Sequence, residues 1–165
     1  MAAAIDEAHF RIVMGHLPTG VVALAGMPEG ATHPHGLVVG TFQSLSLEPP
    51  LVAFSVARSS TSWPKLRAAG RVCASVLAAG QERVCRALAS RRPDKFTGIE
   101  WALSDVGTPR IAGAHAWIDC DLVRELDGGD HVIVVARVLR MDIGSGDPLV
   151  FHKGRLGGHR EPSVA

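Results

Sequence analysis

The chain has almost no net charge. Its 165 residues carry 17 Lys and Arg against 16 Asp and Glu, a formal net charge of +1 at pH 7. Nucleic-acid and anionic-membrane surfaces need concentrated Lys and Arg, so no nucleic-acid or membrane partner is expected. The densest basic cluster is Arg83, Arg86, Arg91, Arg92 and Lys95, which reads as the solvated face and exit of one helix. Cysteine is scarce: Cys73, Cys85 and Cys120 are odd in number and lack CxxC or zinc spacing. Cys73 and Cys120 fall in apolar, strand-like runs, where a thiol behaves as a small hydrophobe. All three are expected to be structural. No run approaches the roughly 20 apolar residues of a membrane span. The first residues, Met1 to Glu7, lack the basic region and apolar run of a signal peptide. A cytoplasmic protein is expected.

Several chemical signatures are also missing. The chain has no P-loop, no G-x-G-x-x-G after a strand and no G-x-S-x-G. These absences argue against a P-loop nucleotidase, a Rossmann domain and a nucleophile-elbow hydrolase. Of eight histidines, the only close pair is His33-Pro34-His35. It sits in a turn with no Cys or carboxylate at ligand spacing, so no metal is expected.

What is present fits one domain with a substantial core. Hydrophobic residues make up 47% of the chain, and mean hydropathy is +0.19. At this length about 68–70% of the unfolded surface can be buried. The expected domain spans residues 1–157, with a flexible tail over 158–165.

Asp6 can cap a helix to about Met14, with Phe10, Val13 and Met14 on one face. Strands are expected at 21–25, 37–42, 51–56 and 71–77. Thr61 can cap a short helix with Pro64 in its first turn and Gly70 at its close. A second amphipathic helix covers 81–90, with Val84, Cys85 and Leu88 on one face. Residues 97–113 read as irregular. Two long strands, 114–123 and 132–141, flank a turn at Asp127-Gly128-Gly129, and 149–152 is a last short strand. The class is mainly β: a closed or nearly closed barrel with helices outside. Several strands are apolar on both faces, so their outer face must be covered by a helix or another subunit.

Three constellations could carry chemistry. In Thr41-Phe42-Gln43-Ser44-Leu45-Ser46, small hydroxyls recur before two prolines. That suits the wall of a planar heteroaromatic ligand, or simply a Ser-rich turn. In Ser55-Val56-Ala57-Arg58-Ser59-Ser60-Thr61, a strand runs through hydroxyls and one Arg into a helix start. Free N–H groups there favour an anion such as a phosphate; a plain helix cap is the alternative. In Gly129-Asp130-His131-Val132, an imidazole and a carboxylate sit at the mouth of an apolar strand. That is a place for recognition or proton handling.

Five segments in order carry a resemblance. They are Phe10-Arg11-x-x-Met14-Gly15-x-x-Pro18-Thr19-Gly20-Val21, then Ser44-Leu45-Ser46-Leu47-Glu48-Pro49-Pro50-Leu51-Val52, then Asp94-Lys95-Phe96, then Gly129-Asp130-His131, then Pro148-Leu149-Val150-Phe151-His152-x-Gly154. Over residues 8–157 the chain resembles the flavin reductase-like family, the short reductase components of two-component flavin-dependent monooxygenases. The resemblance implies an FMN-binding split β-barrel with a few peripheral α-helices, working as a homodimer. It implies that NADH or NADPH reduces FMN, or FAD, and that reduced flavin diffuses to a partner monooxygenase. A protein of the same fold that keeps its flavin, as carrier, sensor or enzyme with its own substrate, is the alternative.

Residue by residue, the resemblance puts Val38, Val39, Gly40, Thr41, Ser44 and Ser46 along the flavin ring and ribityl chain. It puts Ser55, Arg58, Ser59, Ser60 and Thr61 at the phosphate. Lys95 would reach the phosphate or ring edge, and His131 the nicotinamide side. Many members read Thr-Val-Asn-Ser where this chain has Val38-Val39-Gly40-Thr41. Contacts there would come from the backbone, and Gly40 would allow a close approach.

Overall fold

A computed structural model describes residues 4–163. The reading of residues 1–3, and that of the last two residues of the expected tail, fall outside the described residues. Twelve strands and three helices follow in order: α1 (Glu7–Met14), β1 (Thr19–Gly20), β2 (Val22–Gly26), β3 (His35–Val39), β4 (Gln43–Leu47), β5 (Pro50–Ala57), α2 (Trp63–Ala69), β6 (Arg71–Val76), α3 (Glu82–Ala89), β7 (Trp101–Leu103), β8 (Pro109–Ile111), β9 (Ala116–Gly128), β10 (His131–Ile143), β11 (Leu149–His152) and β12 (Arg155–Gly158).

The frame is a seven-stranded antiparallel sheet in the order β3-β2-β6-β9-β10-β5-β4. It is rolled into a split barrel. The long β9–β10 hairpin is its spine, turned by Gly129, whose φ of 76° falls in the left-handed region. The turn lies a residue or two later than expected, at Gly129-Asp130. β2 is buried along its whole length because both faces are covered. Val22 and Leu24 point into the barrel with Phe54, Trp63 and Leu66. Ala23 and Ala25 pack outward against Cys85 and Leu88 of α3 and Leu149 of β11. Alternate residues of a strand face opposite sides, so an unbroken apolar run marks a strand between two cores. The cover expected for such strands is therefore a helix and a C-terminal strand pair of the same chain.

The Asp6 side chain accepts the His9 N–H at 3.0 Å and starts α1 as expected. Gly70, at φ 69°, closes α2. The cap of α2 differs from expectation. Ser62, not Thr61, is the N-cap residue, and its side chain makes no cap bond. Ser60 Oγ instead accepts the Trp63 N–H at 3.2 Å. The strand expected over 37–42 ends at Val39. The Ser-rich stretch read as a wall or turn is strand β4, an edge partner of β5. Residues 97–113, read as irregular, contain the β7–β8 hairpin. β12 pairs with β11 through a two-residue turn, Lys153-Gly154, both at positive φ.

All three cysteines are buried and free, as expected. Asp119 is fully buried; Thr108 donates to it and Arg110 pairs with it, and Arg110 also reaches Asp142. This cluster ties β8 to β9 and β10. No described helix is long and apolar enough to cross a membrane.

Candidate functional site

β3 is one edge of the sheet, so only β2 pairs with it and its other backbone edge is open. An open cleft of about 880 Å³ lies along this seam. Residues 37–41 form one wall and residues 55–57, at the end of β5, form the opposite wall. The loop over 59–62 adds hydroxyls. Residues 88–91, at the C-terminal end of α3, and Lys95 close one end, and His131 borders the cleft from the start of β10.

The seam is held by Thr41. Its Oγ1 accepts the Ser55 N–H at 2.9 Å and donates to the Ser55 carbonyl at 3.2 Å. That hydroxyl is spent on the backbone and shapes the wall. Gly40 is needed for packing: a Cβ there would lie 2.9 Å from Thr19 Oγ1. On this wall Val38 is half-buried, while Leu37 and Val39 alternate with it and are buried in the barrel core.

The closed end is cationic. Lys95 Nζ donates to Ser62 Oγ at 2.8 Å, Leu88 O at 3.0 Å and Gly36 O at 3.4 Å. Burial, and then the neighbouring Lys65 charge, lower its pKa from the usual lysine value. Arg91 lies beside it, and no Asp or Glu lines the cleft among the described residues. The three acceptors take all three Lys95 N–H donors, and with no carboxylate beside it the charge would attract an anion in the cleft through space.

His131 is half exposed. Its Nδ1 lies 2.7 Å from Asp130 Oδ1, an exposed carboxylate. This hydrogen bond holds the Asp130 carboxyl below the usual range. It orients the ring and leaves Nε2 for a ligand. Among the described residues, no three His, Cys, Asp or Glu side chains are grouped to hold a metal.

The cleft thus brings together Val38, Val39, Gly40, Thr41, Ser55, Ser59, Ser60, Thr61, Lys95 and His131. Three expected site residues lie elsewhere. Ser44 and Ser46 are on β4, beyond the lining. Arg58 donates from Nε to Gly129 O at 2.9 Å and pairs with Asp127, so its guanidinium serves the β9–β10 turn. Sequence reasoning missed Ser62 and the end of α3. Arg91 and Lys95 belong to the basic cluster read as the solvated face of a helix and its exit, with Lys95 also expected at the phosphate; Arg83 and Arg86 lie on the exposed face of α3, Arg86 paired with Glu82. The signal was there in Arg91-Arg92 directly after a helix end.

The donor set fits a flavin nucleotide. A strand wall with an open backbone edge suits a planar ring and its polar rim, the loop hydroxyls suit polar atoms of the ligand, and a cationic end without carboxylates suits a phosphate.

Comparison with known proteins agrees. Residues 14–159 match the family model described as flavin reductase like domain. A flavin reductase of Pseudomonas putida is 49% identical over 157 residues, covering 94% of this chain and 91% of that protein. The flavin-dependent monooxygenase reductase subunit HsaB of Rhodococcus jostii is 41% identical, covering 95% and 80%. The solved structure of Streptomyces globisporus NADH:FAD oxidoreductase SgcE6, in complex with NAD and FAD fragments, superposes with a TM-score of 0.86 at 33% identity. It covers 99% of each chain.

Proposed function

The chain belongs to the flavin reductase like family, and on that premise we propose that its cleft binds FMN or FAD and receives NADH or NADPH against it. The protein is an oxidoreductase that reduces flavin, and its reduced product serves a partner monooxygenase. The observation that carries this reading is the seam itself: an open strand edge, a hydroxyl loop and a cationic end without carboxylates in one open cleft.

The chemistry supplied by the bound pair is hydride transfer from nicotinamide to flavin. The chain's part is positioning. The strand edge at Val38 and Val39 would border the ring, with Leu37 and Val39 anchoring that edge in the barrel core. Thr41 holds the two walls at fixed separation. Ser59, Ser60, Thr61 and Lys95 receive the phosphate. His131, steadied by Asp130, contacts the nicotinamide cofactor through Nε2. Fixing two reactants face to face replaces a bimolecular encounter.

The open mouth favours exchange of flavin with solvent over permanent retention: Gly40, Thr41, Ser59 and Thr61 are all exposed. A homodimer is part of this reading. Leu47 is 95% exposed and Ile143 89%, on strands whose neighbours cannot cover them. So is a cytoplasmic location, where reduced nicotinamide is found.

The test is nicotinamide oxidation by the purified full chain, followed by absorbance with FMN or FAD added. Flavin-dependent oxidation of NADH or NADPH is expected, with protein that is mostly colourless after desalting. His131→Ala should raise the nicotinamide KM about tenfold, the effect of one lost polar contact of about 1.4 kcal/mol. Failure to oxidise either nicotinamide with either flavin would overturn the reading.

A further inference from the structure

Arg58 lies outside the lining of the cleft, yet it joins two of its parts. It follows directly after β5, and the next residues, Ser59, Ser60 and Thr61, line the cleft. Its own bonds run the other way, to the β9–β10 turn that carries His131. The Arg58 backbone N–H donates to Asp130 O at 2.9 Å, and its Nε donates to Gly129 O at 2.9 Å. The end of the guanidinium pairs with Asp127. Among the described residues, no other side chain from outside this hairpin hydrogen-bonds to Gly129 or Asp130.

The Gly129 carbonyl belongs to the peptide plane that joins Gly129 to Asp130. Gly129 has a φ of 76°, and a glycine gives such a plane wide freedom to rotate. Rotation would swing the Asp130 carboxylate, whose Oδ1 lies 2.7 Å from His131 Nδ1. Asp130 is exposed, so packing does not hold it. A donor aimed at Gly129 O therefore fixes the carboxylate, and through it the imidazole ring and the direction of Nε2. The ion pair with Asp127 is exposed and contributes little. The bond that matters is the one from Nε.

We propose that Arg58 is a positioning residue for the nicotinamide: through its bond to Gly129 it holds the His131 ring at the angle the cofactor meets. This rests on the reading of His131 as the nicotinamide contact, given above. Arg58 itself touches neither cofactor, so its effect falls on nicotinamide affinity and not on flavin affinity. A neutral donor at the same place serves as well. The Gln amide nitrogen stands as many bonds from Cα as Arg Nε does, whereas Met has similar length and no donor. The Arg58 side chain is exposed, so neither replacement disturbs the core.

The experiment is steady-state nicotinamide oxidation at saturating flavin, with flavin affinity measured by fluorescence quenching and folding by thermal melts. It compares the full natural chain with Arg58→Met, Arg58→Gln, His131→Ala and the double variant Arg58→Met, His131→Ala. Arg58→Met is expected to raise the nicotinamide KM about fivefold, the scale of one hydrogen bond. Its kcat and flavin affinity should move less than about twofold. Arg58→Gln should stay within about twofold of the natural KM. Once His131 is Ala, Arg58→Met should add less than about twofold, because the two residues act as one unit. An unchanged KM in Arg58→Met, or an equal rise in Arg58→Gln, would overturn the inference. So would a full effect in the absence of His131, a parallel loss of flavin affinity, or loss of a cooperative melt in Arg58→Met. His131→Ala with an unchanged KM would instead bring down the nicotinamide contact of the preceding subsection, and this inference with it.

Discussion

Lys95 holds a charge where burial disfavours one. Its three hydrogen-bond acceptors, Ser62 Oγ, Leu88 O and Gly36 O, fix the ammonium at the end of the cleft. Its pKa is lowered by burial first and by Lys65 second. The sign of the consequence follows. The folded protein disfavours the charged form, so deprotonation begins below the ordinary lysine range as pH rises. Phosphate binding needs that charge. Flavin affinity should therefore fall on the alkaline side, starting below about pH 10.4, the free lysine value. Lys95→Met should weaken flavin about tenfold or more at pH 7 and flatten this alkaline limb; fluorescence titration across pH checks both. Lys95 was legible in the sequence through its segment Asp94-Lys95-Phe96. The loss of Arg58 from the site was not legible. Its neighbours in sequence are hydroxyls that do line the cleft, but its own partners, Asp127 and Gly129, are far along the chain. Thr41 was legible as a site residue, but its bonds to the Ser55 backbone give it a different task.

The elements that could be read were those with strong periodicity or a full apolar run. α1 has its Asp6 cap, α3 has Cys85 and Leu88 on one face, and β2 is buried end to end. β4, β7, β8 and β12 have three to five residues each, and β4 is exposed or half-exposed along its length. Such strands exist because a neighbour offers hydrogen bonds, and that neighbour is not written locally. β8 shows the cost of placing one. Its Arg110 and the fully buried Asp119 of β9 must come together with Thr108. Burial raises the Asp119 carboxyl, but the hydrogen bonds from Arg110 and Thr108 outweigh it, and its pKa is lowered overall. A depressed carboxyl contributes stability above its unfolded pKa of about 3.9 and loses it as pH falls through the folded value. Asp119→Asn leaves Arg110 without its buried partner and should cost about 3 kcal/mol at pH 7. Thermal melts should show the gap between variant and natural chain narrowing as pH drops below about 4. A constant gap would rule out this ionic account.

For the whole molecule, the unsolved surface is apolar. Phe10 and Val13 of α1 are each more than half exposed, and Leu47 and Ile143 stand almost free. Large apolar side chains left this exposed on α1, β4 and the end of β10 are the surface a partner would cover. In the homodimer reading, these residues are the buried ones. Leu47→Asp should then shift the chain from dimer to monomer in sedimentation equilibrium, with the barrel still folded by circular dichroism. A natural chain that sediments as a monomer would overturn the dimer. The residues alone were enough for the class and suggested a nucleotide-like planar ligand. Two-sided apolar strands demand a doubly covered barrel, and it is the resemblance of the ordered motifs to a family that implied a flavin and its nicotinamide partner. Only the tertiary structure decided which of those residues share one cleft. It put Arg58, Ser44 and Ser46 outside the lining of that cleft, and it set Arg91 at the cleft's end beside Lys95. The physical reason is that a side chain's partner is set by which strand edges and helix ends meet in space. Asp127 meets Arg58, and Ser62 meets Lys95, across separations that no local pattern encodes.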